Sequence, residues 1–285
     1  MRINWKIVLI RAETLVRRET GDYGRPPTLR RAHYMLVSDP EASAAGYTNT
    51  ESDYSQLSRR TAKLRDAGTF PEFTDRKRGI ERASGYSTLG ELIGSFVHYW
   101  RLDRSELMPK KVVIIAEKDG IIPILSSRFG WLDLSALSGY SSQTHGVALA
   151  RMLDPDRPTV AIYIGDYDPS GLDISRNLAE RLPYPLRRIG LSRDQVLEHN
   201  LVPMAAKKGD SRTASMIASE GAAMQVELDA LPAEVLLGMV AEAITDETGV
   251  ELRPDGKPDW PDVDLSEKED RDRLKALAAE FGDAA

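Results

Sequence analysis

From Lys111 onward, short runs of consecutive apolar residues alternate with stretches of helical period. KVVIIAE and PTVAIYIGDYD are continuous, rich in β-branched residues and bounded by turn formers. Such runs predict strands buried on both faces, because a strand with one wet face alternates apolar and polar positions. YPLRRIGL predicts a further strand, and DGIIPILSSRFG, SSQTHGVALARML, PSGLDISRNLAERL and SRDQVLEHN predict helices, with an apolar segment WLDLSALSGY after the first. Strands alternating with helices predict a parallel sheet covered on both sides. The fold class is therefore α/β, with a ligand crevice beyond the carboxyl ends of the strands. Past Leu201 the pattern predicts a loop at KKGDSR, a short strand running into a helix at QVELDALPAEVLLGMVAEAI, and a charged final helix over about 267–281.

The front of the chain follows a different rhythm. MRINWKIVLIRAETLV is apolar but broken by Arg11 and Glu13, and predicts a helix. PPTLRRAHYMLVS opens with prolines suited to a first helical turn and sets Leu29, His33 and Leu36 on one face. In YSQLSRRTAKLRDAG, Tyr54, Leu57, Thr61 and Leu64 recur at helical spacing, Gly68 stops the helix, and Arg59, Arg60, Lys63 and Arg65 fall on other faces. The charged PEFTDRKRG that follows predicts a β-wing. Helix, turn, basic helix and wing make the winged-helix arrangement, whose second helix enters the major groove while flanking cations grip phosphates. A helical bundle with its arginines facing water carries the same pattern. The predicted division is a mostly α winged-helix DNA-binding domain over 1–105 and a sheet domain with a C-terminal extension over 106–285.

The chain's 285 residues, 41% of them hydrophobic, suffice for one large core or two modest ones. A net charge of -6 argues against a polyanionic partner until its distribution is read. Residues 1–110 hold 19 lysines and arginines against 14 acids; the remainder holds 19 against 30. A basic front on an acidic body is compatible with DNA. There is no cysteine, so disulfides and thiolate metal sites are excluded and any metal must sit on oxygen or imidazole. No stretch approaches the roughly 18 to 20 apolar residues of a spanning helix, and no small-residue cleavage site follows the opening run. These features predict a soluble, cytoplasmic protein without membrane contact. No G-x-x-x-x-G-K-[ST] sequence occurs, which argues against a P-loop ATPase.

The strongest chemical signal is the position of the carboxylates. Glu117 ends KVVIIAE, and Asp166 and Asp168 end VAIYIGDYD. If the two strands are neighbours, the three carboxylates converge on one crevice, and Pro169 and Gly171 turn the chain into the next helix. Clustered carboxylates repel unless a cation neutralises them, and an all-oxygen set suits Mg2+, which takes substrate phosphate oxygens as further ligands. Such an ion stabilises charge developing at phosphorus and on a leaving oxygen. Glu117 could instead act as a general acid or base, since crowded like charges raise a carboxyl pKa. Asp173 and the pair Glu227 and Asp229 are further candidates for the same site. His33 could shuttle a proton, whereas His98, His145 and His199 lack ligand-like spacing.

IIAEKDG followed some fifty residues later by YIGDYDPSG resembles the TOPRIM domain of topoisomerases, bacterial primases and several nucleases. The Asp-x-Asp-Pro-x-Gly form, with SGYSSQTHGVALARML between, is most similar to the topoisomerase VI A subunit and the related meiotic double-strand-break protein. The likeness spans about 26–200. It implies a winged helix ahead of a Rossmann-like TOPRIM domain, and Mg2+ held by Glu117, Asp166 and Asp168. It also implies a nucleophilic tyrosine preceded by an arginine; Tyr34 in LRRAHY stands at the matching place, with Arg30 and Arg31 before it. Family members usually carry an acidic residue and a second tyrosine just before the nucleophile, where this chain has Ala32 and His33. The resemblance further implies double-stranded DNA as partner, a homodimer, and an ATPase B-type subunit for strand passage. On this reading Arg30, Arg31, Arg59, Arg60, Lys63, Arg65 and Lys118 contact DNA. Three functions stay open: topoisomerase VI A-like cleavage through Tyr34, a TOPRIM nuclease using metal-activated water, and a non-catalytic DNA-binding module.

Overall fold

The computed structural model describes residues 3–23, 26–74, 85–137, 143–204, 213–221 and 224–282. The first four helices are α1 (Trp5–Tyr23), α2 (Leu29–Val37), α3 (Pro40–Ala44) and α4 (Glu51–Asp66). Thr28, Asp39 and Thr50 cap α2, α3 and α4 by accepting a backbone N–H of the first turn. Gly68, at φ +69°, follows the end of α4. Val8, Ala12, Leu36, Tyr47 and Leu57 give these helices a core of their own. Among the described residues no strand precedes Lys111; most of the predicted wing falls in 75–84, outside the described residues.

Next come α5 (Leu89–Tyr99), β1 (Lys111–Ala116), α6 (Ile122–Phe129), β2 (Asp133–Ala136) and α7 (Gln143–Ala150). They are followed by β3 (Thr159–Ile164), α8 (Pro169–Arg181), β4 (Leu186–Gly190), α9 (Arg193–Glu198) and α10 (Thr213–Glu220). The last two helices are α11 (Ala233–Thr248) and α12 (Pro261–Gly282). The KKGDSR segment lies outside the described residues. Although α5 falls within 1–105, it packs on α12 from the far end of the chain, where Gly90 meets the backbone of Ala278 and Gly282.

The sheet is parallel, in the order β2-β1-β3-β4, so the α/β class holds. β1 and β3 run side by side with Ala116 opposite Ile164. Their side chains alternate between two cores. Val112, Ile114, Val160 and Ile162 pack with Leu125 of α6 and Leu237 of α11. Val113, Ile115, Ala161 and Tyr163 pack with Leu149 of α7 and Ile174 of α8. Both central strands are thus dry on both faces, which is why their sequences are apolar without alternation. No helix among the described residues is long and apolar enough to cross a membrane.

Candidate acidic site

Because Ala116 and Ile164 are in register, the residues after them leave the sheet together. The Glu117 N–H donates to the Ile164 carbonyl at 2.8 Å, and its carboxylate turns over the start of the next loop. There Oε2 accepts the Asp166 N–H at 3.0 Å and the Tyr163 hydroxyl at 3.3 Å. This approach requires two glycines. A Cβ on Gly165 would stand 2.6 Å from Glu117 Oε2, and one on Gly171 would stand 2.5 Å from the Asp166 carbonyl and 2.9 Å from the same carboxylate oxygen. Arg188 of β4 holds the loop from beneath: Nη2 donates to the carbonyls of Asp166 at 2.6 Å and Leu191 at 3.2 Å, and Nη1 to that of Gly171 at 3.3 Å.

The chain beyond α10 returns to this loop. Tyr167 and Val226 exchange backbone hydrogen bonds at 2.9 and 3.0 Å, which places Glu227–Asp229 alongside. Asp166 Oδ1 accepts the Leu228 N–H at 2.8 Å. Lys118 enters the gap: its Nζ lies 2.6 Å from Asp166 Oδ2 and 2.9 Å from Glu227 Oε2. Arg30 of α2 reaches Glu227 from the other side at 3.2 Å.

Glu117 and Asp166 are neighbours, as expected of adjacent strands, and Asp168 caps α8 through one oxygen, Oδ1, which accepts the Gly171 N–H at 2.6 Å. Among the described residues no three histidine, aspartate or glutamate side chains stand as a ready metal group. The reason is local: Lys118 already neutralises Asp166, and the backbone amides of Gly171, Leu228 and Asp166 occupy carboxylate oxygens. Burial pushes the Glu117 carboxyl up, against the pull of the Asp166 amide and Lys118. Burial also raises Asp166, with Lys118 opposing and Glu117 adding to the shift. Asp229 is likewise raised by burial. Glu227 differs: burial pushes it up, but Lys118, the Tyr34 hydroxyl and Arg30 outweigh that and hold it low, so it is ionised.

Tyr34 lies at the same end of the molecule, 4% exposed, with its hydroxyl 3.9 Å from Met204 Sδ. Burial and Glu227 raise its phenol, opposite to what an activated nucleophile needs. Arg31, expected to support Tyr34 and contact DNA, is buried and paired with Glu19, and its Nη1 reaches the Asp229 carbonyl at 3.5 Å. It faces the interior because α2 packs that side on α1. His33 is a packing residue: Nδ1 meets the Tyr47 hydroxyl at 2.7 Å, Nε2 meets Asn49 Oδ1 at 3.2 Å, and Tyr34, Tyr47 and Tyr54 surround its ring. Lys118, expected on a DNA-facing surface, belongs to the acidic cluster.

On α4, Arg59, Arg60 and Lys63 are exposed as predicted, Arg60 lying over the Trp5 ring at 4.6 Å. Arg65 is half-buried, 3.5 Å from Glu72 and over the Phe73 ring. Asp173 pairs with Arg176 on α8, and His145 Nε2 lies 3.1 Å from Ser135 Oγ. A cavity of about 440 Å3 opens between α4 and the β1 end, lined by Arg30, Tyr54, Arg65, Phe73, Lys118 and Asp229 among others. The residues that sequence reasoning underweighted are Arg188 and Glu227. A paired arginine in YPLRRIGL, where a buried strand should be apolar, is the signal for the first; VELDALP, two acids in an apolar run, is the signal for the second. No family model matches the chain, and no curated protein matches it.

Proposed function

We propose that this chain cleaves DNA at a TOPRIM-like, Mg2+-dependent acidic site, with its N-terminal helices serving as a winged-helix DNA-binding unit. The observation that carries the reading is the meeting of Glu117 and Asp166 at the carboxyl edge of adjacent parallel strands, with Asp168 two residues on. The donor set fits magnesium: it is all oxygen, and burial leaves Glu117 and Asp166 reluctant to carry charge without a stronger cation than Lys118. Glu117, Asp166 and Asp168 would hold the ion, which supplies charge stabilisation at the phosphoryl oxygens.

The residues of the chain divide the remaining work. Release of Lys118 from Asp166 frees an ammonium to pair with a DNA phosphate. In the alternative in which Glu117 stays off the ion, its raised pKa suits it to take a proton from water as the water oxygen bonds to phosphorus and to return that proton to the deoxyribose oxygen whose bond to phosphorus breaks. Exposed Arg59 and Lys63 suit phosphate contacts along the duplex. The resting geometry favours water as nucleophile, since the Tyr34 phenol is raised and Arg31 is engaged elsewhere.

A second reading, topoisomerase VI A-like transesterification, rests on Tyr34 and ionised Glu227 lining one cavity, with Glu227 to accept the phenol proton as the phenol oxygen bonds to phosphorus and the P–O bond to deoxyribose breaks. That reading brings with it a homodimer and an ATPase B-type partner. Plasmid cleavage in Mg2+, with and without protease before electrophoresis, separates the two. Hydrolysis leaves ends free of protein and survives Tyr34→Phe; transesterification leaves protein on the DNA and is lost in Tyr34→Phe. In either case Asp168→Ala abolishes cleavage, and absence of wild-type cleavage rejects both readings.

A further inference from the structure

The edge of the sheet opposite the acidic cluster holds a second polar cavity. Parallel strands bring the chain preceding β1 and the turn preceding β2 to one edge, and α12 with the Asp255–Lys257 turn closes over them. The enclosed space is about 600 Å3. Five cations stand in its wall, Arg101, Arg104, Arg128, Lys257 and Arg271, against two carboxylates, Asp255 and Glu267. Most of this wall lies in the acidic part of the chain, where residues 111–285 hold 30 acids against 19 cations. Such a concentration of positive charge runs against its surroundings.

The acids of the wall are already neutralised. Glu267 pairs with Arg104 and Arg271, each at 3.1 Å, and Asp255 lies 3.5 Å from Arg253. Arg128 is taken by Glu234 at 3.0 Å. Arg101 and Lys257 have no ion pair with any described residue. Arg104 is 1% exposed and is committed to Asp264 at 2.7 Å as well as to Glu267, so the charge open to a ligand is that of Arg101 and Lys257.

The cavity also presents flat apolar surface. Trp131 is locked in the wall, its indole N–H donating to the Gly256 carbonyl at 3.0 Å. Trp100 and Tyr99 stand at the rim, 39% and 78% exposed. The volume falls in the range of organic-ligand sites, well above what a bare phosphate fills. We propose that this cavity binds a nucleoside monophosphate, its phosphate on Arg101 and Lys257 and its base on the Trp100 ring. Aromatic faces accept any base, so the rings supply affinity and the cations supply the requirement for phosphate.

The proposal is independent of the acidic site. It is tested on the full chain by calorimetric titration with AMP, GMP, CMP and UMP, with inorganic phosphate and adenosine as controls. At least one nucleotide is expected to saturate a single site, about tenfold or more tighter than either control. Arg101→Gln combined with Lys257→Gln, both outside the core, should weaken that nucleotide about tenfold or more, and Trp100→Ala should bring it down to the level of inorganic phosphate. No saturation by any of the four nucleotides, equal binding of inorganic phosphate, or wild-type affinity in the double variant overturns the proposal. Circular dichroism of both variants checks that the fold is retained.

Discussion

Replacing Lys118 with methionine removes the internal cation of the acidic cluster while keeping most of its apolar stem. In the wild type Nζ sits 2.6 Å from Asp166 and 2.9 Å from Glu227, whose side chains are 7% and 9% exposed. At an effective dielectric constant of about 20, each contact is worth about 6 kcal/mol of attraction. Desolvation of the three groups consumes much of this, so the net loss on breaking the pair is on the order of 3 kcal/mol. Glu227 keeps Arg30, but among the described residues Asp166 keeps only the Leu228 amide, so the loss concentrates on the Glu117–Asp166 pair. Urea unfolding in chelator at pH 7 should show the lowered stability. Mg2+ should then restore it, since the competing ammonium is gone: at 100 times its dissociation constant an ion adds about 2.7 kcal/mol. The reasoning is refuted if Lys118→Met unfolds at the wild-type urea concentration in chelator, or if Mg2+ stabilises the wild type more than the variant.

Four further outcomes follow from the same geometry. Gly171→Ala drives a Cβ to 2.5 Å from the Asp166 carbonyl, so it should lower stability by about 1–3 kcal/mol in urea unfolding and reduce plasmid cleavage with it. Arg188→Met strips donors from the carbonyls of Asp166, Gly171 and Leu191, with an expected loss on the order of 3 kcal/mol by the same assay; wild-type stability would rule out the clamp. Glu117 and Asp166 have raised pKa values, so the folded chain keeps protons where unfolded carboxyls have lost them. Their contribution is greatest below the ordinary carboxyl range near about 4 and is lost as pH rises. Metal-free wild type should therefore lose stability relative to Asp166→Asn as pH increases from acid to neutral, and a flat or rising difference contradicts this. Arg59→Gln with Lys63→Gln should weaken duplex DNA binding and lower the slope of log affinity against log salt by about 1.8, and an unchanged slope would remove α4 from the interface.

The parallel sheet and the adjacency of Glu117 and Asp166 were legible because they depend on local patterns. An unbroken apolar run marks a strand covered on both faces, and a carboxylate at its end marks the open edge. What could not be read depends on partners distant in the chain. Lys118 and Arg31 look like surface cations in sequence; the first is drawn inward by Glu227, 109 residues away, and the second by Glu19. Asp168 reads in sequence as a ligand or as a helix cap, and Gly171 three residues on supplies the amide for the cap, which takes up Oδ1 alone. Residues 89–99 carry a helix beyond the basic helical stretch ending near Arg82, and its partner α12 begins at Pro261. Only the fold brings those two together, and with them the second cavity.

Magnesium uptake measured by titration calorimetry tests the account most directly. The wild type is expected to take up the ion at a saturable site, and Glu117→Gln with Asp166→Asn, still folded by circular dichroism, is expected to lose that site. Uptake that is absent in the wild type, or unchanged in the double variant, contradicts it.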